Sequence, residues 1–435
     1  MKKSGLILFT ILTTLSIYSQ GISGKWNGIL EVQGTQLRLV FNISPTEKGY
    51  SSTMDSPDQG AKGIQVTSIS YENQILKLEV SSAGIQYEGT LNKENVFVGT
   101  FKQGGQSFPF NLTKEKVEAK KMIRPQEPTK PYPYYSEDVK FENTKDEITL
   151  AGTLTLPEKD GNFPAVILIS GSGPQNRDEE LLGHKPFLVL SDYLTRNGIA
   201  VLRFDDRGTA ESTGDFATAT TFDFATDVES ALKYLKTRKE INKNKIGLIG
   251  HSEGGIIAPI VAAKSKDVDF IILLAGTGIR GDQLLLLQQE LVGRASGISD
   301  SVLQKTKVIN EGVFDIILKS DNTDLLETEL TNYLKQAIKD NPESGKPAGM
   351  NDEEFIKLQV TQLISPWMYN FIKYDPAPTL EKVNCAVLAI NGEKDLQVPP
   401  AVNLNAIKKA LEKGGNKNVT TKELSNLTQL AFSEL

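Results

Sequence analysis

The stretch Lys245-Ile-Gly-Leu-Ile-Gly-His-Ser-Glu-Gly-Gly-Ile-Ile-Ala-Pro259 decides the fold of this chain. Its first half is a short apolar run typical of a buried strand, and its last residues begin a helical pattern. Between them lies the pattern G-x-S-x-G, with Ser252 at its centre. A strand-to-helix turn this tight leaves no room for side chains two residues before and after the serine, and it lifts the hydroxyl out of the chain. Ser252 is therefore the candidate nucleophile.

The alternation of strand and helix extends to both sides of this turn. Strand-length apolar runs occur at 165–169, 199–204, 270–274 and 386–390, and helical patterns at 187–196, 222–237, 255–264 and 401–413. Such alternation predicts an α/β domain over residues 136–435, in which helices cover both faces of a mostly parallel sheet. Two hairpin-like strands, 139–142 and 148–156, precede it. A leucine-rich stretch of helical spacing predicts a helical cap at about 277–375.

The chain before residue 136 has a different pattern. Lys2, Lys3 and a short apolar stretch predict a secretory signal peptide over residues 1–20, too short for a membrane anchor and typical of export to a periplasm or the medium. Apolar residues then alternate with polar ones, which predicts a small all-β barrel or sandwich domain over residues 21–114. A Pro- and Lys-rich linker over residues 115–135 follows, because proline stiffens the chain and donates no sheet hydrogen bond.

Composition excludes several kinds of function. The 48 Lys and Arg and 54 Asp and Glu give a net charge of −6, which argues against a nucleic-acid or membrane-surface binder. The chain has one cysteine and two histidines, which excludes an internal disulfide and multi-histidine metal centres. We expect no cofactor and no metal.

A second glycine-containing turn follows the strand that ends at Ile169. It reads Ser170-Gly-Ser-Gly-Pro174, and glycines let a backbone approach a ligand closely. In this architecture the loop after that strand donates a backbone N–H to the oxyanion formed during acyl transfer. Ser172 and Gly173 are the candidate donors, with the amide of Glu253 as the second. In Asp205-Asp-Arg-Gly208, after the next strand, we expect Asp206 and Arg207 to form a structural ion pair first, with substrate contacts as the second interpretation.

Several motifs in order resemble the α/β-hydrolases, in particular exported bacterial esterases and serine-aminopeptidase-like hydrolases with an N-terminal β-domain. The motifs are Ser170-Gly-Ser-Gly173, Asp205-Asp-Arg-Gly208, Ser212-Thr-Gly214, Gly250-His-Ser-Glu-Gly-Gly255, Ser365-Pro-Trp367, Tyr374-Asp-Pro376 and Asn391-Gly-Glu-Lys-Asp395. The resemblance implies hydrolysis of an ester or small peptide through an acyl-enzyme on Ser252. It also implies that Asp395, at the end of the last clear apolar strand, is the acid that orients the catalytic base.

The base itself departs from this pattern. The family carries its histidine in an Asn-His-Leu-Phe-like segment after a strand corresponding to 419–424, and here that segment reads Asn426-Leu-Thr-Gln-Leu-Ala431. Gln429 cannot accept a proton near neutral pH. His251 is expected to be structural. His184 is expected to be structural first, with a place in the lining of the cleft as the alternative. Truncation or a frameshift near residue 428 is the simplest account, and a true pseudoenzyme is its rival.

Two functions of different classes follow from these observations. The first is an acyl hydrolase, impaired in this chain by the absent histidine. The second is a non-catalytic secreted binding protein that keeps the pocket. The intact Ser252 and Asp395 favour the first, and the absent base favours the second.

Overall fold

The computed structural model describes residues 21–32, 35–47, 49–59, 61–103, 106–118, 124–181, 183–320, 323–341 and 351–428. The chain divides into two units, Met1–Lys121 and Met122–Leu435. The signal peptide expected over residues 1–20 lies outside the described residues, as does the chain from Gln429 onward.

The first unit consists of antiparallel strands around one apolar core. Its strands are β1 (Gly24–Val32), β2 (Thr35–Thr46), β3 (Gly49–Ser56), β4 (Ala61–Gln65), β5 (Ser68–Glu72), β6 (Ile75–Val80), β7 (Ile85–Leu91), β8 (Phe97–Gln103) and β9 (Gln106–Leu112). They form the sheets β1-β2-β3-β4 and β5-β6-β7-β8-β9. Paired backbone hydrogen bonds between Asn27 of β1 and Thr113, just after β9, join one edge of the two sheets. At the other edge the chain passes directly from β4 to β5, and the Val66 N–H between them donates to the Ser52 carbonyl of β3. The two sheets therefore close around a shared core, in which Trp26 lies edge to face with Phe97.

The second unit contains one eight-stranded sheet. Its strands are β10 (Tyr135–Asn143), β11 (Ile148–Leu156), β12 (Phe163–Ile169), β13 (Ala200–Phe204), β14 (Ile241–His251), β15 (Phe270–Leu274), β16 (Ala386–Gly392) and β17 (Val419–Leu424). The order in the sheet is β10-β11-β13-β12-β14-β15-β16-β17. The strands β10 and β11 are antiparallel to their neighbours, and the other pairings are parallel. Parallel strands end at the same edge, so the loops after β12, β13, β14 and β16 lie together there.

The helices of the second unit cover the sheet and form an insertion after β15. They are α1 (Pro186–Arg196), α2 (Thr221–Thr237), α3 (Gly254–Lys264), α4 (Gly281–Ala295), α5 (Asp300–Lys319), α6 (Thr323–Asp340), α7 (Asp352–Leu363), α8 (Pro366–Lys373), α9 (Ala377–Leu380) and α10 (Pro400–Lys413). Apolar residues of α2, α3 and α10 pack on one face of the sheet, and Phe187 of α1 packs on the other. The predicted α/β fold class, with a separate β domain before it, is confirmed.

The insertion between β15 and β16 has its own apolar core. Leucine, isoleucine and valine side chains of α5, α6 and α7 bury one another there, with Ile372 of α8 among them. The leucine spacing in the sequence thus reflects packing between cap helices. No helix in the described ranges is both long and apolar enough to cross a membrane.

Candidate active site

Ser252 lies at the turn between β14 and α3. Its backbone has φ +50°, a left-handed conformation that is strained for any residue except glycine. The Ser252 N–H donates to the carbonyl of Leu274 on the neighbouring strand at 2.8 Å, which holds the turn against β15. A Cβ atom on Gly250 would overlap the carbonyl of Gly254, and one on Gly254 would overlap the carbonyl of Ile169. The motif needs both glycines because backbone fills the space where their side chains would lie.

The loop after β12 approaches this turn from the adjacent strand. A Cβ atom on Gly171 would lie 3.3 Å from the Cβ of Ser252, so the loop touches the candidate nucleophile directly. The Gly171 N–H is occupied, because it donates to Oε1 of Glu179 at 2.7 Å. In the part of the chain that the structure describes, the N–H groups of Ser172, Gly173 and Glu253 donate to no protein acceptor. These are the three predicted oxyanion donors.

Glu179 is a residue of this site that the sequence analysis missed. Its side chain is buried, its backbone is left-handed with φ +51°, and its Oε1 lies 2.7 Å from Nδ1 of His251. Oε1 also accepts from the Gly171 N–H. The same carboxylate oxygen therefore contacts His251, which precedes Ser252 in the sequence, and Gly171, which lies against Ser252 in space. No sequence motif connects Glu179 to His251, which lies 72 residues further along the chain.

Asp206, at the end of β13, is bound differently from the prediction. Arg207 pairs with Asp227 and Asp146, so the expected Asp206–Arg207 ion pair is wrong. The Asp206 carboxylate instead accepts from the Ser170 hydroxyl at 2.6 Å and from the Gln175 N–H at 2.9 Å. Successive residues at the end of a strand point to opposite faces of the sheet, which separates the two side chains.

Burial raises the pKa of Asp206 to about 8, and two nearby carboxylates add to that shift. These are Glu253 and Glu179. The hydrogen bonds from Ser170 and Gln175 act in the opposite direction, because they stabilise the ionised form.

The Glu253 side chain connects the turn to the helical cap. Its Oε1 accepts from the Thr221 hydroxyl of α2 at 2.6 Å and from the Trp367 Nε1–H of α8 at 2.8 Å. Burial raises the pKa of Glu253, while both hydrogen bonds lower it. The residue directly after Ser252 therefore contacts both the sheet-covering helix and the cap.

Asp395 lies in the loop after β16, at the same sheet edge. Its Oδ1 accepts from the N–H groups of Gln397 and Val398, each at 2.9 Å. Its Oδ2 is buried and has no hydrogen-bond partner among the described residues. Burial raises the pKa of Asp395, and these N–H groups and the nearby His251 act to lower it.

The chain after β17 runs beside the Asp395 loop. The Lys394 N–H donates to the carbonyl of Leu427 at 2.8 Å, and the Asn426 N–H donates to Oε2 of Glu393 at 2.9 Å. The segment that the resemblance associates with the catalytic base thus begins next to Asp395. His184 lies in a turn before α1, where its backbone pairs with that of Leu181.

Comparisons with known proteins agree with this architecture, which is that of the α/β-hydrolases. The sequence profile described as "Serine aminopeptidase, S33" matches residues 186–427. That match covers more than half of the chain, and the protein belongs to this hydrolase family.

Individual relatives are similar over parts of the chain. Esterase EstD of Thermotoga maritima is 32% identical over 183 residues, which are 40% of this chain and 43% of that esterase. The chain therefore spans less than half the length of this relative. An uncharacterized 31.7 kDa protein of Escherichia coli is 25% identical over 257 residues, 58% of this chain and 79% of its own length.

Solved structures of similar fold are more distant in sequence. An esterase of Pyrococcus furiosus is 16% identical, covers 72% of this chain and 88% of its own, and has a TM-score of 0.43. An α/β-hydrolase of a Penicillium species is 17% identical, with coverages of 68% and 91% and a TM-score of 0.44.

Proposed function

We propose that this protein is a serine hydrolase that cleaves carboxylic esters, or small peptide and aminoacyl substrates, through an acyl-enzyme on Ser252. The observation that carries the proposal is the left-handed Ser252 at a strand-to-helix turn, with three N–H groups nearby that no described residue uses. Membership of a hydrolase family and the similarity to an esterase support the same reaction class.

The reaction proceeds in two steps. Oγ of Ser252 attacks the substrate carbonyl carbon, its proton passes to a base, and the carbonyl oxygen becomes an oxyanion that accepts from the amides of Glu253 and of Ser172 or Gly173. The carbon–oxygen or carbon–nitrogen bond then breaks, and the leaving group takes the proton from the base. Water attacks the acyl-enzyme by the same route, which releases the acid and restores the hydroxyl.

The base is the component that the 435 residues do not provide in the expected place. The buried Oδ2 of Asp395 suits the N–H of an imidazole, and the chain beside it reads Asn426-Leu-Thr-Gln429 without a histidine. Loss of the base from a serine nucleophile costs on the order of a million-fold in turnover. We therefore propose that turnover by this chain is low.

The test replaces Thr428 onward with a segment of the Asn-His-Leu-Phe type and a closing helix. The helix is included because Ile272 and Ile390 are only partly buried on one face of the sheet. We expect hydrolysis of a short-chain chromogenic ester to rise by several orders of magnitude, because the rest of the site is preorganised.

The matched control carries the same segment together with Ser252→Ala. Recovery that disappears in this control supports the proposal. A folded, repaired protein that is no faster than its alanine control on several acyl and aminoacyl substrates would overturn it and leave a binding protein as the better account.

A further inference from the structure

Asp206 holds both ends of the Ser170–Gln175 loop. Its Oδ1 accepts from the Ser170 hydroxyl at the start of the loop, at 2.6 Å, and its Oδ2 accepts from the Gln175 N–H at the end, at 2.9 Å. The Asp206 N–H also donates to the Gln175 carbonyl at 3.1 Å. One residue at the end of β13 thereby closes a loop that begins at the end of β12.

Glu179 holds the same loop near its start. Its Oε1 accepts from the Gly171 N–H at 2.7 Å and contacts Nδ1 of His251 at 2.7 Å. A left-handed backbone at a buried, non-glycine residue costs of order 1–3 kcal/mol and persists where the surroundings require it. At Glu179 that conformation places the carboxylate between the loop and the residue preceding Ser252.

The carboxyl groups of Asp206 and Glu179 destabilise each other when both are ionised. Burial raises the pKa of Asp206, and the nearby Glu179 and Glu253 raise it further. A cavity of about 10 Å³, enough for roughly one water molecule, is lined by Asp206, Glu253, Ser170 and Gly171, among others. Apolar side chains would fill such a position at lower cost if packing were the only requirement.

We propose that Asp206 and Glu179 are positioning residues that hold the Ser170–Gln175 loop in place, so that the amides of Ser172 and Gly173 stay directed to the ligand of Ser252. We call this pair the carboxylate clasp. The inference rests on the proposed function, because it assigns the loop the role of binding an oxyanion. The clasp occupies the N–H groups of Gly171 and Gln175 and leaves the two between them available.

The first test measures amide hydrogen exchange in the full-length protein as it exists, and it requires no turnover. Loss of a hydrogen bond worth about 1.4 kcal/mol corresponds to about ten-fold faster exchange. We expect Asp206→Ala to accelerate exchange at Gln175, and Glu179→Ala at Gly171, by about this factor or more. Exchange in β12 and α3 should not change.

Conservative variants separate positioning from general stability. Asp206→Asn and Glu179→Gln keep an oxygen for the backbone N–H groups, and the Ser170 hydroxyl can either donate or accept. We expect both to restore slow exchange. Asp227→Ala is the matched control, because it removes another buried carboxylate, one that binds Arg207 and not the loop. It should lower stability without changing exchange at Gly171 or Gln175.

If Asp206→Ala does not fold, Ser170→Ala removes the loop side of one contact and should accelerate exchange at the start of the loop. Unchanged loop exchange in folded alanine variants, or acceleration spread evenly over the sheet, would overturn the clasp.

A second measurement applies once the repaired protein shows Ser252-dependent turnover. Removing one oxyanion donor from a serine hydrolase costs about 100- to 1,000-fold in kcat. We expect Asp206→Ala to lower kcat by up to this factor with little change in KM, and Asp206→Asn to restore most of it. An unchanged kcat would refute the positioning role even if the loop exchanges faster. Because the exchange measurement needs no activity, failure of the clasp and failure of the proposed reaction are distinguishable.

Discussion

Ser252 depends on its neighbours for a conformation that serine rarely adopts. The strain of φ +50° is maintained because the backbone of Gly254 passes directly over Gly250, and because the Ser252 N–H is bound by the Leu274 carbonyl. The glycines of the G-x-S-x-G motif are thus required by the close packing of the turn backbone, in addition to any chemical role of Ser252.

This argument predicts that Gly250→Ala destabilises the protein strongly. The new methyl group would meet the carbonyl of Gly254, which is backbone and cannot rotate away, so we expect a loss of about 3 kcal/mol or more in the free energy of unfolding. Gly198→Ala is the matched control, because Gly198 has φ +88° but no atom within 4 Å of the added Cβ. It should cost only the backbone strain, about 1–2 kcal/mol. Urea unfolding of both variants checks this, and equal losses would contradict the steric argument.

At the scale of elements, a hydrogen bond between Trp367 and Glu253 connects α8 to the candidate nucleophile turn. Trp367 stacks on Phe371 within the helix and donates its Nε1–H to Glu253. Burial raises the pKa of Glu253 in the folded protein. As pH rises above the pKa of this group in the unfolded chain, the free energy of unfolding therefore falls, and it continues to fall until pH passes the raised pKa of the folded state. The Trp367 donor reduces that cost because it stabilises the ionised carboxylate.

We therefore predict that Trp367→Phe destabilises the protein more in alkaline than in acidic solution. The variant keeps an aromatic ring against Phe371 but leaves Glu253 with one donor fewer, which costs about 1 kcal/mol or more when the group is ionised. Thermal unfolding over a series of pH values from acidic to alkaline measures the difference. The control is Tyr369→Phe, also in α8, which removes a donor to the Ser320 carbonyl at the end of α5 and an acceptor for the Lys373 ammonium. It touches no carboxylate, so its loss should not vary in the pH range where Glu253 ionises. The same pH dependence in both variants would argue against the role of Glu253.

At the scale of the whole molecule, each of the two units has a core of its own. Phe97 is fully buried in the first unit beside Trp26, and Leu154 is fully buried in the second. Truncation of such side chains leaves cavities that only partly collapse.

We predict that Phe97→Ala costs about 3–5 kcal/mol and Leu154→Ala about 2–5 kcal/mol, each within its own unit. Amide hydrogen exchange should accelerate in residues 24–112 for the first variant and in the strands β10–β17 for the second. Acceleration of both units by either substitution would mean that they unfold together.

The local patterns of the sequence were sufficient for most elements of the second unit. The helical periods at 187–196 and 401–413 correspond to α1 and α10 within one residue at each end, and the glycine spacing placed Ser252 at the end of β14. These features are predictable because periodicity and tight-turn sterics act over a few neighbouring residues. The catalytic roles of Ser252 and Asp395 remain predictions, to be settled by the Ser252-dependent repair.

The sequence by itself determined the alternation of strands and helices, the tight turn at Ser252 and the absence of a histidine after β17. Only the tertiary structure decided which side chains meet at the sheet edge. Asp206 reaches Ser170 across 36 residues, and Glu179 reaches His251 across 72, because the parallel order of β13, β12 and β14 brings their ends together. Strand order depends on packing of the whole sheet and not on residues near either carboxylate, so no local pattern could show that they hold one loop.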